Sequence, residues 1–342
     1  MTELTHMRRE IEEIPAAVAR LLKGSWDTLV AGGRELRARD PATIVTIARG
    51  SSDHAASFLK YAIELTAGIP VASIGPSIVS IYGRQLRLDR CAAIAISQSG
   101  KSPDIVAMAQ SARSSGATTI AITNTPGSPL AEASDLTIDL LSGEEKSVAA
   151  TKTFVASVVA GIGLVAHWQE DKALLSALDA LPQLLREAIA CDWSPLFGAL
   201  DKHESLYVLG RGPALAIANE AALKFKETCG IHAEAYSSAE VLHGPARIVE
   251  DGYPVLALAA RDASEAGVAE IADRLARQGA TAFATTDRAT TARRLPFVET
   301  GHAITDALVL IASFYGFVEM LSRQRGFDPD RPPHLKKVTE TL

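Results

Sequence analysis

Ile94-Ala-Ile-Ser-Gln-Ser-Gly-Lys-Ser-Pro-Asp104 is the stretch on which the reading of this chain turns. An apolar run of the kind buried in a parallel strand stops abruptly at hydroxyl residues and a glycine. Ser97, Gln98, Ser99 and Ser102 offer side-chain donors, Gly100 permits a tight turn, and Ser102-Pro103 reads as an N-cap followed by proline at the first helical position. The unpaired N–H groups and positive dipole end of such a helix favour an anion. The segment therefore reads as strand, phosphate cradle and helix. No carboxylate cluster accompanies it to hold magnesium, so a phosphate monoester fits better than a nucleoside triphosphate.

Outward from this turn the same order of elements recurs. Ile44 to Ala48 is a short strand closed by Arg49-Gly50-Ser51-Ser52, and Asp53 to Leu65 has helical periodicity. Val71 to Ile74, Ala92 to Ile96, Thr118 to Thr123 and Leu136 to Asp139 read as further strands, with helices over Pro103 to Ser114 and Thr151 to His167. Two helices come first, one from about Met7 to Leu22 and one ending near Arg39. A second series starts at Leu206 to Leu209, closed by Gly210-Arg211-Gly212. It continues with a helix to about Thr228, strands over Val255 to Ala259 and Ala280 to Thr285, and a helix from Ala303 to Arg323. The two first strands lie roughly 160 residues apart, which predicts a duplicated α/β domain with doubly wound parallel sheets rather than one long sheet. Cys191-Asp192-Trp193-Ser194-Pro195 breaks the helical pattern. The expected domains are thus 1–192 and 193–325, with 326–342 as a proline-rich tail that reads equally as ordered or disordered.

Composition narrows the function classes. At 342 residues and 47% hydrophobic content the chain can bury two full cores. A net charge of −6 supplies no basic footprint for nucleic acid. Met1 to Glu12 is charged and lacks the apolar core of a signal peptide, and no apolar stretch is read as spanning a bilayer, so a cytoplasmic protein without membrane contact is expected. Cys91, Cys191 and Cys229 are widely spaced and odd in number, suggesting neither a zinc site nor a disulfide framework. No metal and no cofactor is expected.

Candidate chemistry concentrates in the second half. Glu220, Lys224 and Glu227 stand at i, i+4 and i+7, on one stripe of the helix after the Gly-Arg-Gly turn. Such a stripe is commonly a solvated ionic face. Here it is followed by Ile231-His-Ala-Glu-Ala-Tyr236 and Glu240-Val-Leu-His-Gly-Pro245, read as a loop dense in titratable groups, which favours a site. Glu227 and His243 are the residue types needed to move a proton between adjacent sugar carbons and to open a sugar ring. A desolvated lysine can condense with a keto sugar; Lys336 and Lys337 in the tail, and Lys152 and Lys224 elsewhere, are the candidates. His54, His167, His203 and His302 lack such company and read as structural.

Taken together and in order, Met7-Arg-Arg-Glu-Ile-Glu-Glu-Ile-Pro15, Arg49-Gly-Ser-Ser52, Ser97-Gln-Ser-Gly100, Glu145 to Lys152, Glu220 to Glu227, His232-Ala-Glu-Ala-Tyr236, His243-Gly-Pro245 and Leu335-Lys-Lys337 resemble the sugar isomerase (SIS) domain pair of the glucosamine-6-phosphate synthase type. The resemblance covers nearly the whole chain. It implies two tandem doubly wound SIS (flavodoxin-like) domains and an extended C-terminal active-site tail. It further implies that Ser52, Ser97, Gln98, Ser99 and Ser102 bind phosphate, with Ser51 and Val148 near the sugar and Glu220 on the same ionic stripe. By the same resemblance Glu227 moves the proton between C1 and C2, Lys224 is its companion, His243 opens the ring from the neighbouring subunit of a homodimer, and Lys337 is the Schiff-base lysine. Departures from the family pattern are Lys101 for an acid, Ser102 for threonine, Ala150 for serine and Leu242 for lysine.

The expected substrate is an amino-sugar phosphate. With no glutaminase segment before Met7, deamination of glucosamine 6-phosphate to fructose 6-phosphate and ammonia is the expected direction. The alternatives are a fructosamine-6-phosphate deglycase, an ammonia- or partner-dependent glucosamine-6-phosphate synthase, and a non-catalytic sugar-phosphate sensor. The last is disfavoured by the joint presence of Glu227, His243 and Lys337 and by the lack of a helix-turn-helix.

Overall fold

A computed structural model describes residues 4–201 and 203–337. Helices α1 (His6–Gly24) and α2 (Trp26–Arg39) precede a sheet built from β1 (Thr43–Ile47), β2 (Val71–Ser73), β3 (Cys91–Ile96), β4 (Thr118–Thr123) and β5 (Leu136–Asp139). All pairings are parallel, in the order β2-β1-β3-β4-β5. The connections carry α3 (Ser51–Thr66), α4 (Ser77–Ser80), α5 (Pro103–Ser114) and α6 (Pro129–Glu132). After α7 (Lys152–Gln169), α8 (Lys172–Ile189) and α9 (Pro195–Leu200), a second sheet comprises β6 (Ser205–Gly210), β7 (His232–Ser237), β8 (Pro254–Ala257), β9 (Thr281–Ala284) and β10 (Arg293–Arg294). It is also wholly parallel, in the order β7-β6-β8-β9-β10. Its helices are α10 (Pro213–Cys229), α11 (Glu265–Arg277) and α12 (Ala303–Gln324). The two strand orders are the same, so the expected duplication of a doubly wound α/β fold is present.

The strands follow from their sequences. β3 and β4 are buried at every position after the first, the pattern of parallel strands covered on both faces. On the first sheet, Val45, Ile47, Ala93 and Ala95 pack with Ile105, Met108 and Ala109 of α5. On the second, Tyr207, Leu209, Val255 and Ala257 pack with Val268, Ala272 and Leu275 of α11. Each fully buried large apolar side chain of this kind contributes about 1.5–3 kcal/mol. The register sets Ile47 beside Ala95, so the turns leaving β1 and β3 emerge side by side at the strand order's switch point, where doubly wound sheets bind ligands.

The chain forms two compact units. One comprises Ile14–Glu145, Lys152–Asp179 and the chain from Lys336; the other comprises the chain up to Glu13, Lys146–Thr151 and Ala180–Leu335. The chain passes from one to the other within α1 and within α8, close to the internal prolines Pro15 and Pro182.

Two expectations are corrected, and the alternative left open for the tail is decided. Ile231–Tyr236, read as loop, is largely β7: the alternation His-Ala-Glu-Ala-Tyr is an edge-strand pattern, with His232 and Glu234 exposed and Ala233 buried. The apolar helix α12 is in fact long and apolar enough to cross a bilayer, but 94% of its most apolar window is buried inside the protein. The tail is ordered through Lys337. It is tied down at Asp330, whose carboxylate accepts from the His6 and Met7 N–H groups at 2.7 Å each and so caps α1.

Candidate active site

In the first unit the turn after β3 is built to present hydroxyls. Ser97 Oγ accepts from Gly100 N at 3.2 Å and Ser99 Oγ from Lys101 N at 3.3 Å, so each hydroxyl retains its hydrogen for donation. Gly100 has φ +61°, and a Cβ there would lie 2.1 Å from Ser128 Oγ, so only glycine fits. Ser102 is the N-cap of α5 with Pro103 following, as expected, but its side chain makes no cap hydrogen bond. Ser51 and Ser52 begin α3 after Gly50. Arg49, in the same turn, pairs with the buried Asp104 of α5 and thereby ties the two neighbouring turns together. Gly100-Lys101-Ser102 matches the end of a triphosphate-loop motif. Ala95, inside β3, stands where that motif needs its first glycine.

Gln98 also lines a cavity of about 980 Å³ with Asn124, Thr125, Glu144 and Glu145. Lys337 enters this unit from the tail, its Nζ 2.7 Å from Glu145 Oε2. Glu145 is wholly buried and accepts from Thr153 N at 3.0 Å and Thr153 Oγ1 at 2.6 Å. Burial pushes its carboxyl up, but the Lys337 ammonium and the two Thr153 donors outweigh this and hold it below the usual carboxylate range.

In the second unit the ionic stripe of α10 is an interior cluster and not a solvated face. Lys224 and Glu220 are fully buried, and Glu227 keeps 21% of its side chain exposed. Lys224 Nζ lies 3.3 Å from Glu220 Oε1 and pairs closely with Glu227 Oε2, while Tyr315 of α12 donates to Glu220 Oε1 at 3.1 Å. Burial disfavours the Lys224 charge, yet Glu220 and Glu227 more than compensate and raise its pKa, so it stays an ammonium. The open side of Glu227 faces a pocket of about 450 Å³ walled by Phe327, Pro332, Pro333 and Leu335. His243 ends a 3-10 turn, Val241–His243, and is exposed. Leu242, beside it, packs against the core with Tyr207 and Val241, which accounts for an apolar residue there. Val148 N donates to Asp330 O at 3.4 Å, next to the α1 cap.

Glu145 and Asp330 were not among the sequence candidates. Asp330 meets α1, and Glu145 meets Lys337, across most of the chain, so no local spacing points to those pairings. Of the histidines read as structural, His302 caps α12 through Nδ1 and His167 packs edge-on to Trp26 at 4.6 Å. Among the described residues no group of three or more His, Cys, Asp or Glu is placed to hold a metal ion.

Two parallel sheets of one strand order define a tandem doubly wound α/β scaffold. The chain belongs to the SIS domain family, whose model matches residues 38–165 and 199–322. A glutamine--fructose-6-phosphate aminotransferase (isomerizing) from Symbiobacterium thermophilum is 31% identical over 97% of this chain. The chain spans only 58% of that relative's length. A structure from Silicibacter pomeroyi DSS-3, provisionally described as a phosphosugar isomerase, is 57% identical, covers 96% of this chain and all of its own, and superposes with a TM-score of 0.93. Glucosamine-6-phosphate deaminase from Thermotoga maritima shares the fold at 19% identity and a TM-score of 0.77, with 98% of this chain and all of that one covered.

Proposed function

We propose that this protein is an amino-sugar-phosphate isomerase that deaminates glucosamine 6-phosphate to fructose 6-phosphate and ammonia. One observation carries the reading: Glu227 is a partly exposed carboxylate whose inner side is gripped by a fully buried lysine, so a base is held rigidly with one face open. In this reading Glu227 moves the proton between C1 and C2, and Lys224 is its cationic companion. Ser52, Ser97, Gln98, Ser99 and Ser102 take the phosphate, with Ser51 and Val148 near the sugar. The hydroxyl-presenting turn and the α5 N-terminus support this assignment. Lys337 condenses with the keto sugar. His243 opens the ring across a homodimer interface, a role to which its exposure in the single chain lends support.

Purified protein incubated with glucosamine 6-phosphate should release ammonia and fructose 6-phosphate in equal amounts. Absence of turnover on glucosamine 6-phosphate, and of the reverse reaction at saturating ammonia, sinks the reading. Mixing inactive His243→Ala and Glu227→Gln proteins should restore activity if the histidine crosses between subunits. The name of the Symbiobacterium relative favours a second reading, synthesis of glucosamine 6-phosphate. That reading is supported if fructose 6-phosphate and ammonia are consumed and the deamination is slow.

A further inference from the structure

We propose that Glu145 is the resting partner and proton acceptor of the Lys337 amine, so that the buried carboxylate takes the lysine's proton when the amine moves to a keto sugar. This rests on the function proposed above, in which Lys337 is the amine that forms the imine. The geometry is specific. The Lys337 Nζ is 2.7 Å from Glu145 Oε2, and the carboxylate cannot swing to follow it, because Thr153 N holds Oε1 and Thr153 Oγ1 holds Oε2. Thr153 lies in the first turn of α7, so the clamp is made at a helix N-terminus that itself favours a carboxylate. The lysine is 24% exposed and the glutamate not at all, so the mobile partner is the amine.

An ammonium is no nucleophile, so the Lys337 amine must give up a proton before it attacks a carbonyl. The carboxylate 2.7 Å away is placed to take that proton. The ammonium gives one proton to Glu145; the amine's lone pair forms the C–N bond at the carbonyl carbon as the C=O π pair moves to oxygen. That oxygen takes one proton from the new C–N nitrogen and the one Glu145 held, and leaves as water as the nitrogen lone pair forms the C=N bond. The sum is one ammonium and one ketone converted to one iminium and one water, with Glu145 a carboxylate at both ends.

Cyanoborohydride trapping of Lys337 by fructose 6-phosphate, followed by mass spectrometry, tests this. Glu145→Gln keeps a hydrogen-bond acceptor and the shape but cannot take a proton. Its trapping rate at saturating sugar should fall by about 100-fold while half-saturation stays within about threefold of wild type. Glu145→Asp should recover part of the rate, which loss of mere support for the tail does not predict. Thr153→Val, which retains the carboxylate but loosens it, should fall by roughly 10-fold and serves if Glu145→Gln does not fold. Trapping of Glu145→Gln at the wild-type rate overturns the proposal, as does unaltered trapping of Thr153→Val where Glu145→Gln is unfolded. Failure of the underlying reading looks different: wild-type protein binds the sugar phosphate but is never trapped at Lys337, and the proposal falls with it.

Discussion

The turns that follow β1 and β6 adopt one backbone conformation and end in opposite chemistry. Gly50 has φ +56° and ψ −134°, Gly212 φ +59° and ψ −137°, and each is the N-cap of the long helix that follows. At Gly50 nothing lies within 4 Å of where a Cβ would stand, whereas at Gly212 the Asp262 carboxylate comes to 3.9 Å. The neighbouring turns differ in the same sense. After β3 the chain presents Ser97, Ser99 and Ser102. After β8 it supplies its own carboxylates: Asp262 accepts from Ser264 N and Oγ at 2.7 and 2.6 Å, and Arg261 is held by Asp306 at 3.1 Å. The doubly wound topology thus makes an anion-favouring mouth twice. Hydroxyls line one mouth and carboxylates stand at the other, and the unit with the carboxylates also carries the ionic cluster inside α10.

That contrast can be broken by experiment. The largest effect belongs to Glu227, the open face of the α10 cluster. Glu227→Gln should lower turnover by about two to four orders of magnitude with folding intact, and persistence of wild-type solvent-deuterium exchange at C1 or C2 would refute the role. Next is the comparison of glycines. Gly100→Ala meets both a positive φ and the Ser128 hydroxyl and should cost about 3 kcal/mol, measured by denaturant unfolding. Gly212→Ala meets only the backbone penalty, and about 1–2 kcal/mol is expected. Equal losses would mean that the two turns are not built differently. Ser99→Ala should raise the apparent substrate constant by roughly ten- to a hundred-fold, the loss of about one charge-assisted hydrogen bond. Its counterpart in the turn after β8, Ser264→Ala, should cost about 1 kcal/mol of stability and leave the substrate constant alone.

The smallest effect is a pH dependence confined to the second unit. Burial works against the Asp273 carboxylate, but N–H donors from Ala292, Thr290 and Thr291 prevail and hold its pKa at about 2. The folded-state value is depressed, so this stabilisation is fully present above the ordinary carboxylate range and is lost as pH falls from about 4 through about 2. Unfolding free energies of wild type and Asp273→Asn should therefore converge at acid pH by about 1–2 kcal/mol. Parallel curves across that window would exclude the carboxylate as their cause.

Local order carried most of the fold. The apolar runs ending at Ile47, Ile96, Thr123 and Leu209, with glycine or serine turns after most of them, set strands, helices and the repeat, because burial on both faces of a parallel strand leaves an unbroken hydrophobic signature. β7 escaped that test since an edge strand buries little and carries its polar residues outward. The hydroxyl turn and the Glu220, Lys224, Glu227 stripe were also legible, since both are fixed by spacing within one turn or one helix. What the stripe is worth was not: helical period puts three charges on one line, but Tyr315 of α12, 95 residues away, is among the groups that make that line interior. Likewise Asp330 caps α1 across 324 residues, and Glu145 meets Lys337 across 192. The sequence alone determined the elements, their duplication and the residue types available for chemistry. Tertiary structure alone decided which charges are buried and which distant partners hold them, because desolvation and ion pairing depend on what packs alongside in space and leave no period in the chain.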